Sequence, residues 1–60
     1  MDFSKVTNTE WEDIDHKDYP DYVDAYCVYG EINGIPLSSK ELDELNESEY
    51  WYDLLINFLN

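Results

Sequence analysis

Few side chains in this sequence could carry out catalysis. The chain has one cysteine, Cys27, and one histidine, His16, and its serines stand at positions 4, 38, 39 and 48. A nucleophilic cysteine needs a basic, partly exposed setting that lowers the pKa of the thiol. Acidic surroundings have the opposite effect. We therefore expect Cys27 to be a small buried side chain and His16 to be exposed, and we expect no enzymatic activity.

The sequence also predicts no metal or cofactor site. One cysteine and one histidine do not make a zinc centre. The stretch from Asp13 to Asp24 resembles the start of a calcium-binding loop, but that loop needs an oxygen ligand at position 5, glycine at 6 and glutamate at 12. Lys17, Asp18 and Asp24 stand there instead. With two glycines, the chain cannot build a glycine-rich phosphate loop.

Carboxylates are the most prominent chemistry of the chain. Fifteen Asp and Glu residues oppose three lysines, and the formal net charge is −12. Two clusters are predicted to contact a partner: Glu10, Glu12, Asp13, Asp15, Asp18, Asp21 and Asp24, and then Glu41, Asp43, Glu44, Glu47 and Glu49, with Asp53 nearby. Such charge disfavours nucleic acid and anionic membranes as direct partners and favours a basic protein. A merely well-solvated surface is the alternative interpretation.

Aromatic residues are the second resource. Six Tyr, two Trp and two Phe occur in 60 residues. Buried rings remove a large apolar area from water, so most of them are expected in the core. Tyrosine is also frequent at interfaces because its ring is apolar and its hydroxyl is polar. We predict that some rings are exposed and that Tyr22, Tyr26 and Tyr50 contact a partner.

Length and composition indicate one small domain. A lone cysteine excludes an internal disulfide. Residues 1–9 are polar with isolated Phe3 and Val6 and are expected to be loosely ordered, while residues 10–60 are expected to form the domain. The sequence shows neither a signal peptide nor an apolar run long enough to span a membrane. We therefore expect a soluble protein located in the cytoplasm.

The elements that must position these groups follow from local patterns. Trp11 and Ile14 are three apart, which favours one helical turn. Residues 22–32 are rich in β-branched and aromatic types and predict a strand. Asn33-Gly34 supplies the positive φ angles of a type I′ turn. A short strand at residues 35–37 would return from it at a sheet edge, because Pro36 cannot donate a ladder hydrogen bond.

Two helices are predicted after the hairpin. Ser38 followed by Glu41 is a capping box that begins a helix at residues 39–45, and Asn46 followed by Glu49 predicts a second capping box. The last segment carries an apolar stripe at helical spacing: Trp51, Leu54, Leu55, Phe58 and Leu59. The predicted fold class is α+β, a β-hairpin followed by two short helices after an acidic N-terminal segment, with the hairpin covered by the last helix.

Half of the chain resembles small acidic proteins of uncharacterised function encoded by tailed bacteriophages. The resemblance lies in Asp24-Ala25-Tyr26, Asn33-Gly34, Leu37-Ser38 and the run Glu41-Leu42-Asp43-Glu44-Leu45-Asn46. It transfers no activity and no site residues. What it implies is a phage origin and a partner in the host cell, such as a nuclease, a polymerase, a toxin or a defence factor.

Three functions remain open. The first is a binding protein that inhibits or modulates a host protein through a basic surface, as a mimic of DNA if that surface binds nucleic acid. The second is a structural or assembly protein that forms homo-oligomers through exposed aromatic side chains. The third is an antitoxin-like adaptor recognised through the terminal helix at residues 50–59.

Overall fold

The centre of the fold is a three-stranded antiparallel sheet. The computed structural model describes residues 2–60, in which the strands are β1, Thr7–Glu12, β2, Tyr26–Ile32, and β3, Ile35–Pro36. Their order is β1-β2-β3, so β2 is central and β1 forms one edge. Together with the two helices that follow, this arrangement confirms the predicted small α+β domain.

The N-terminal segment is part of the fold, and the prediction that residues 1–9 are loosely ordered is wrong for residues 2–9. Phe3–Lys5 form a turn of 3-10 helix, which begins where the Asp2 carboxylate accepts a hydrogen bond from the amide of Ser4. Phe3 and Val6 are buried in the core. Met1 lies outside the described residues. Phe3 and Val6 alone give no periodic pattern in the sequence. That this segment is ordered becomes evident only from their burial in the core.

Trp11 lies in β1 and not in a helical turn, which corrects the expectation drawn from its spacing to Ile14. It pairs with Cys27 of β2 and is buried. The helical turn of this region comes later, as a 3-10 helix at His16–Asp18. Pairing between segments this far apart in sequence overrides a local three-residue spacing.

The second strand begins four residues later than predicted. Ala25 donates its amide to the carbonyl of Tyr22, and Tyr22 donates to that of Asp18, so residues 18–25 form a series of turns. The hairpin turn itself is confirmed, since Asn33 and Gly34 have φ values of 54° and 79°. Ile35–Pro36 is a two-residue strand, as expected for a proline-containing edge.

Two helices complete the chain: α1, Ser39–Asn46, and α2, Tyr50–Leu59. The capping box of Ser38 and Glu41 is present at the start of α1. The second predicted box is wrong, because Glu49 occupies the N-cap of α2 without a side-chain hydrogen bond. Instead, the Ser48 hydroxyl accepts the amide of Tyr50 and donates to the Leu45 carbonyl.

Both helices pack on the sheet, α1 against β2 and α2 against β1 and β2, so the hairpin is not covered by the last helix alone. Leu45, Leu55 and Cys27 are fully buried between these layers. Trp11 of β1 meets Trp51 of α2 edge to face, with ring centroids 6.4 Å apart. Within residues 2–60, neither helix has the length and apolar character needed to cross a bilayer.

Candidate partner-binding surface

The solvent-facing side of β1 and β2 alternates glutamate and tyrosine. Glu12 lies opposite Tyr26 and Glu10 opposite Tyr29. The Tyr26 hydroxyl donates to the Glu12 carboxylate at 3.0 Å. The Tyr29 hydroxyl donates to Glu31, which also accepts from the Asn8 side-chain amide at 3.2 Å. The side of the sheet that carries Trp11 and Cys27 faces the helices, so these carboxylates and hydroxyls form an ordered polar face.

These hydrogen bonds fix the protonation states on the sheet face. The hydrogen bond to the Glu12 carboxylate raises the pKa of Tyr26, and that to Glu31 raises the pKa of Tyr29. The Tyr29 hydroxyl, aided by the Asn8 amide, lowers the pKa of Glu31. Both tyrosine hydroxyls therefore stay protonated at neutral pH, and Glu31 stays ionised beside Tyr29.

The acidic loop that follows β1 is irregular and open to solvent. Asp13, Asp15 and Asp24 line one shallow depression together with Ile14. Asp15 caps the 3-10 helix by accepting the amide of Lys17 at 2.9 Å. In residues 2–60, no three His, Cys, Asp or Glu side chains are grouped so that they could hold a metal ion.

The end of this loop is fastened to α2. The Tyr52 hydroxyl donates to the carbonyl of Pro20 at 2.6 Å, and the Trp51 indole donates to the carbonyl of Ala25 at 3.1 Å. Asp21 lines a depression together with Asn46, the last residue of α1. Asp21 of the first acidic cluster therefore lies near the end of α1, and Glu47 of the second cluster is the next residue along the chain.

Most predicted carboxylates are exposed. Those in the exposed class are Glu10, Glu12, Asp13, Asp15, Asp21, Asp24, Asp43, Glu44, Glu47 and Glu49. Asp18 and Glu41 are half-buried. The Glu41 carboxylate accepts the amide of Ser38 at 2.8 Å and lies near Lys5 in another depression, so capping occupies it.

The predicted aromatic contacts divide. Tyr22 is only 6% exposed and belongs to the core, so the prediction that it contacts a partner is wrong. Its ring packs edge to face against His16 and Tyr19. Tyr26 is 41% exposed, and Tyr50 is half-buried.

The sequence did not single out the most exposed apolar side chains. Tyr19, Val23 and Ile35 are 73%, 71% and 69% exposed. Phe58 and Tyr52 are also exposed. Val23 lies in the segment predicted to be a strand, and Tyr19 lies just before it. The turns that expose these two side chains are indicated in the sequence only by Pro20.

Cys27 is buried and His16 is exposed, as expected. Cys27 is 2% exposed and its thiol donates to the carbonyl of Tyr29. Burial raises the pKa of this thiol, which disfavours the nucleophilic thiolate. His16 is exposed on the 3-10 helix.

No protein-family model, curated protein or solved structure matches this chain. Its function is therefore inferred from the surface described above.

Proposed function

We propose that this protein is a non-enzymatic acidic binding protein, encoded by a phage, that binds a basic surface of a host protein in the host cytoplasm and inhibits or modulates that protein. The observation that carries the proposal is the exposure of the acidic loop where it meets the α1–α2 junction. Asp21 and Asp24 in the loop, and Glu47 and Glu49 between the helices, are all exposed. With a net charge of −12, the chain attracts a basic partner over several ångströms and repels nucleic acid.

Mimicry of nucleic acid is the finer form of this proposal. DNA presents one charge per about 1.7 Å of helix axis, and a mimic must place carboxylates at comparable density on a fixed frame. The sheet face supports the idea, because Glu12 and Glu31 are held by hydrogen bonds from Tyr26, Tyr29 and Asn8. Carboxylates fixed in this way lose less side-chain entropy on binding than free ones.

Affinity capture from a bacterial lysate tests the proposal. The immobilised protein should retain a basic protein at low salt and release it as salt rises, since exposed charges more than about 8 Å apart are largely screened at physiological ionic strength. A variant with Asp21→Asn, Asp24→Asn and Glu47→Gln should retain less of it. The purified pair should then show inhibition of the partner's activity, in competition with nucleic acid if the mimicry is correct. Capture that is indifferent to salt would contradict the proposal.

Homo-oligomer formation is the second candidate, favoured by the exposure of Tyr19, Val23, Ile35 and Phe58. Its salt dependence is opposite, because screening removes the repulsion between chains of like charge. Light scattering at rising salt distinguishes the two. An oligomer that grows with salt supports assembly, and a monomer at all concentrations contradicts it.

No specific observation favours the third candidate function, the antitoxin-like adaptor. The stripe of α2 is used inside the molecule, where Leu54 and Leu55 are buried and Trp51 holds the carbonyl of Ala25. Phe58 is the member of the stripe that remains exposed.

A further inference from the structure

One depression combines apolar, aromatic and acidic groups. Its lining is Asp21, Val23, Ala25, Tyr26, Asn46 and Trp51. Val23 is 71% exposed and Tyr26 is 41% exposed, so apolar surface there is open to solvent. We infer that this depression is the anchor point for an arginine side chain of the basic partner. The inference rests on the proposed function and names the chemistry by which its partner is recognised.

Charge complementarity selects a cation. Asp21 is exposed at the depression, and none of the three lysines lines it. The hydroxyl of Tyr26, another lining residue, donates to the Glu12 carboxylate. A positively charged side chain that enters here meets the carboxylate of Asp21, and within residues 2–60 no lysine lines the depression.

The aromatic lining selects arginine over lysine. A guanidinium is planar, is weakly hydrated and stacks on aromatic rings while donating to a carboxylate. Tyr26 and Trp51 provide the rings, and Val23 and Ala25 provide apolar surface for the methylene stem. The ammonium group of lysine is compact and strongly hydrated, so it gains less from this combination.

Internal hydrogen bonds keep the site in shape. The Asn46 side-chain oxygen, the group that could accept from a guanidinium, already accepts the amide of Cys27, and the Asn46 amide group donates to the carbonyls of Cys27 and Leu42. The Trp51 indole nitrogen donates to Ala25. Asp21 is the carboxylate-bearing residue of the lining, so the ionic contact with a guanidinium comes from Asp21.

The test measures binding of a short oligo-arginine peptide and an oligo-lysine peptide of equal length by amide and indole NMR shifts at low salt. We expect tighter binding of the arginine peptide, with the largest shifts at Asp21–Tyr26 and the Trp51 indole. Replacement Tyr26→Leu should weaken arginine binding about two- to five-fold, as the loss of an exposed cation–π contact implies. Tyr26→Phe, which keeps the ring but loses the hydroxyl that donates to Glu12, should bind the arginine peptide more tightly than Tyr26→Leu.

The charge control is matched. Asp21→Asn and Glu44→Gln each remove one negative charge, but Glu44 lies two residues before Asn46 on α1 and so on another side of that helix. Only Asp21→Asn should abolish the preference for arginine. Equal binding of both peptides, or equal effects of the two variants, overturns the arginine anchor and leaves the proposed function standing. Failure of both peptides to bind at low salt contradicts the proposed function itself. Preserved NMR spectra of Tyr26→Leu and Asp21→Asn exclude unfolding as the cause.

Discussion

The side chain of Asn46 bonds the backbone of Cys27 at both its polar groups. The Asn46 carbonyl oxygen accepts the amide of Cys27 at 2.7 Å, and the Asn46 amide donates to the Cys27 carbonyl at 3.0 Å. A neighbouring strand would make the same two bonds. Because β3 reaches only to Glu31 along β2, one side chain of α1 takes the place of the missing strand.

Replacing Asn46 with alanine should destabilise the protein by about 2–3 kcal/mol, because an unsatisfied, partly buried backbone group costs roughly 1–3 kcal/mol. The Leu42 carbonyl also loses a donor. Urea denaturation gives the change in the free energy of unfolding. Asn57→Ala, at an exposed position of α2, is the control and should change stability little. Equal losses in the two variants would refute the strand-like role of Asn46.

Gly30→Ala should also destabilise the protein. An added Cβ would lie 2.9 Å from a methyl of Val6 and 3.3 Å from one of Leu37. Overpacking of this kind costs roughly 1–3 kcal/mol, and the stiff valine cannot move aside easily. Thermal denaturation of Gly30→Ala and of the double variant with Val6→Ala tests the cause. If the double variant loses as much stability as the two single variants together, the contact between the added methyl at residue 30 and Val6 is not the cause.

Tyr52→Phe should loosen the acidic loop. It removes the hydroxyl that donates to the Pro20 carbonyl, a loss of about 0.5–1.5 kcal/mol. Hydrogen exchange of the amides of residues 21–25 should become faster while the core amides keep their protection. Tyr19→Phe removes a hydroxyl from a side chain that is 73% exposed and serves as the control. Unchanged exchange in Tyr52→Phe would show that the loop is held by other contacts.

The Glu31–Tyr29 pair predicts a pH dependence. The hydrogen bond from Tyr29 holds the pKa of Glu31 below its ordinary value of 4.5, so its stabilising effect is complete above pH 4.5 and is lost as the pH falls through the lowered pKa. The pKa of Tyr29 is raised above 10.0, so the same effect is present below pH 10.0 and is lost as the pH rises through the raised pKa.

Glu31→Gln should therefore be less stable than the original protein at neutral pH, with the difference shrinking at both extremes. Denaturant titrations across pH measure this gap. Glu44→Gln, at an exposed site on α1, is the control. A gap that stays constant with pH would exclude the carboxylate as its source.

Local chemistry made half of the fold predictable. Asn33-Gly34 and the Ser38–Glu41 capping box act within four residues, so their patterns predicted the hairpin turn and the start of α1. The position of Trp11 in a strand depends on its pairing with Cys27, which lies sixteen residues along the chain. A pattern read over a few neighbouring residues does not include that partner. Asn46 is a residue type that commonly caps helices. Its hydrogen bonds to the Cys27 backbone depend on how α1 packs against β2.

The candidate surface was less predictable than the fold. The clustering of Asp and Glu in the sequence indicated the carboxylates of this surface. Charged side chains are exposed by default, so their exposure could be predicted without knowledge of tertiary contacts. The burial of Tyr22 and the exposure of Val23 depend on the turns between residues 18 and 25, which are fixed by bonds from Trp51 and Tyr52. Those bonds join segments about thirty residues apart and leave no periodic trace in the sequence.

The edge strand β1 has a consequence for aggregation. Growth of a fibril needs a straight strand edge that an identical chain can extend. Here the register shifts twice along β1, and Asn8 takes a positive φ of 54°. Glu10 and Glu12 add like charge to every arriving copy. The irregular backbone and the like charge are therefore two separate barriers to cross-β stacking along this edge.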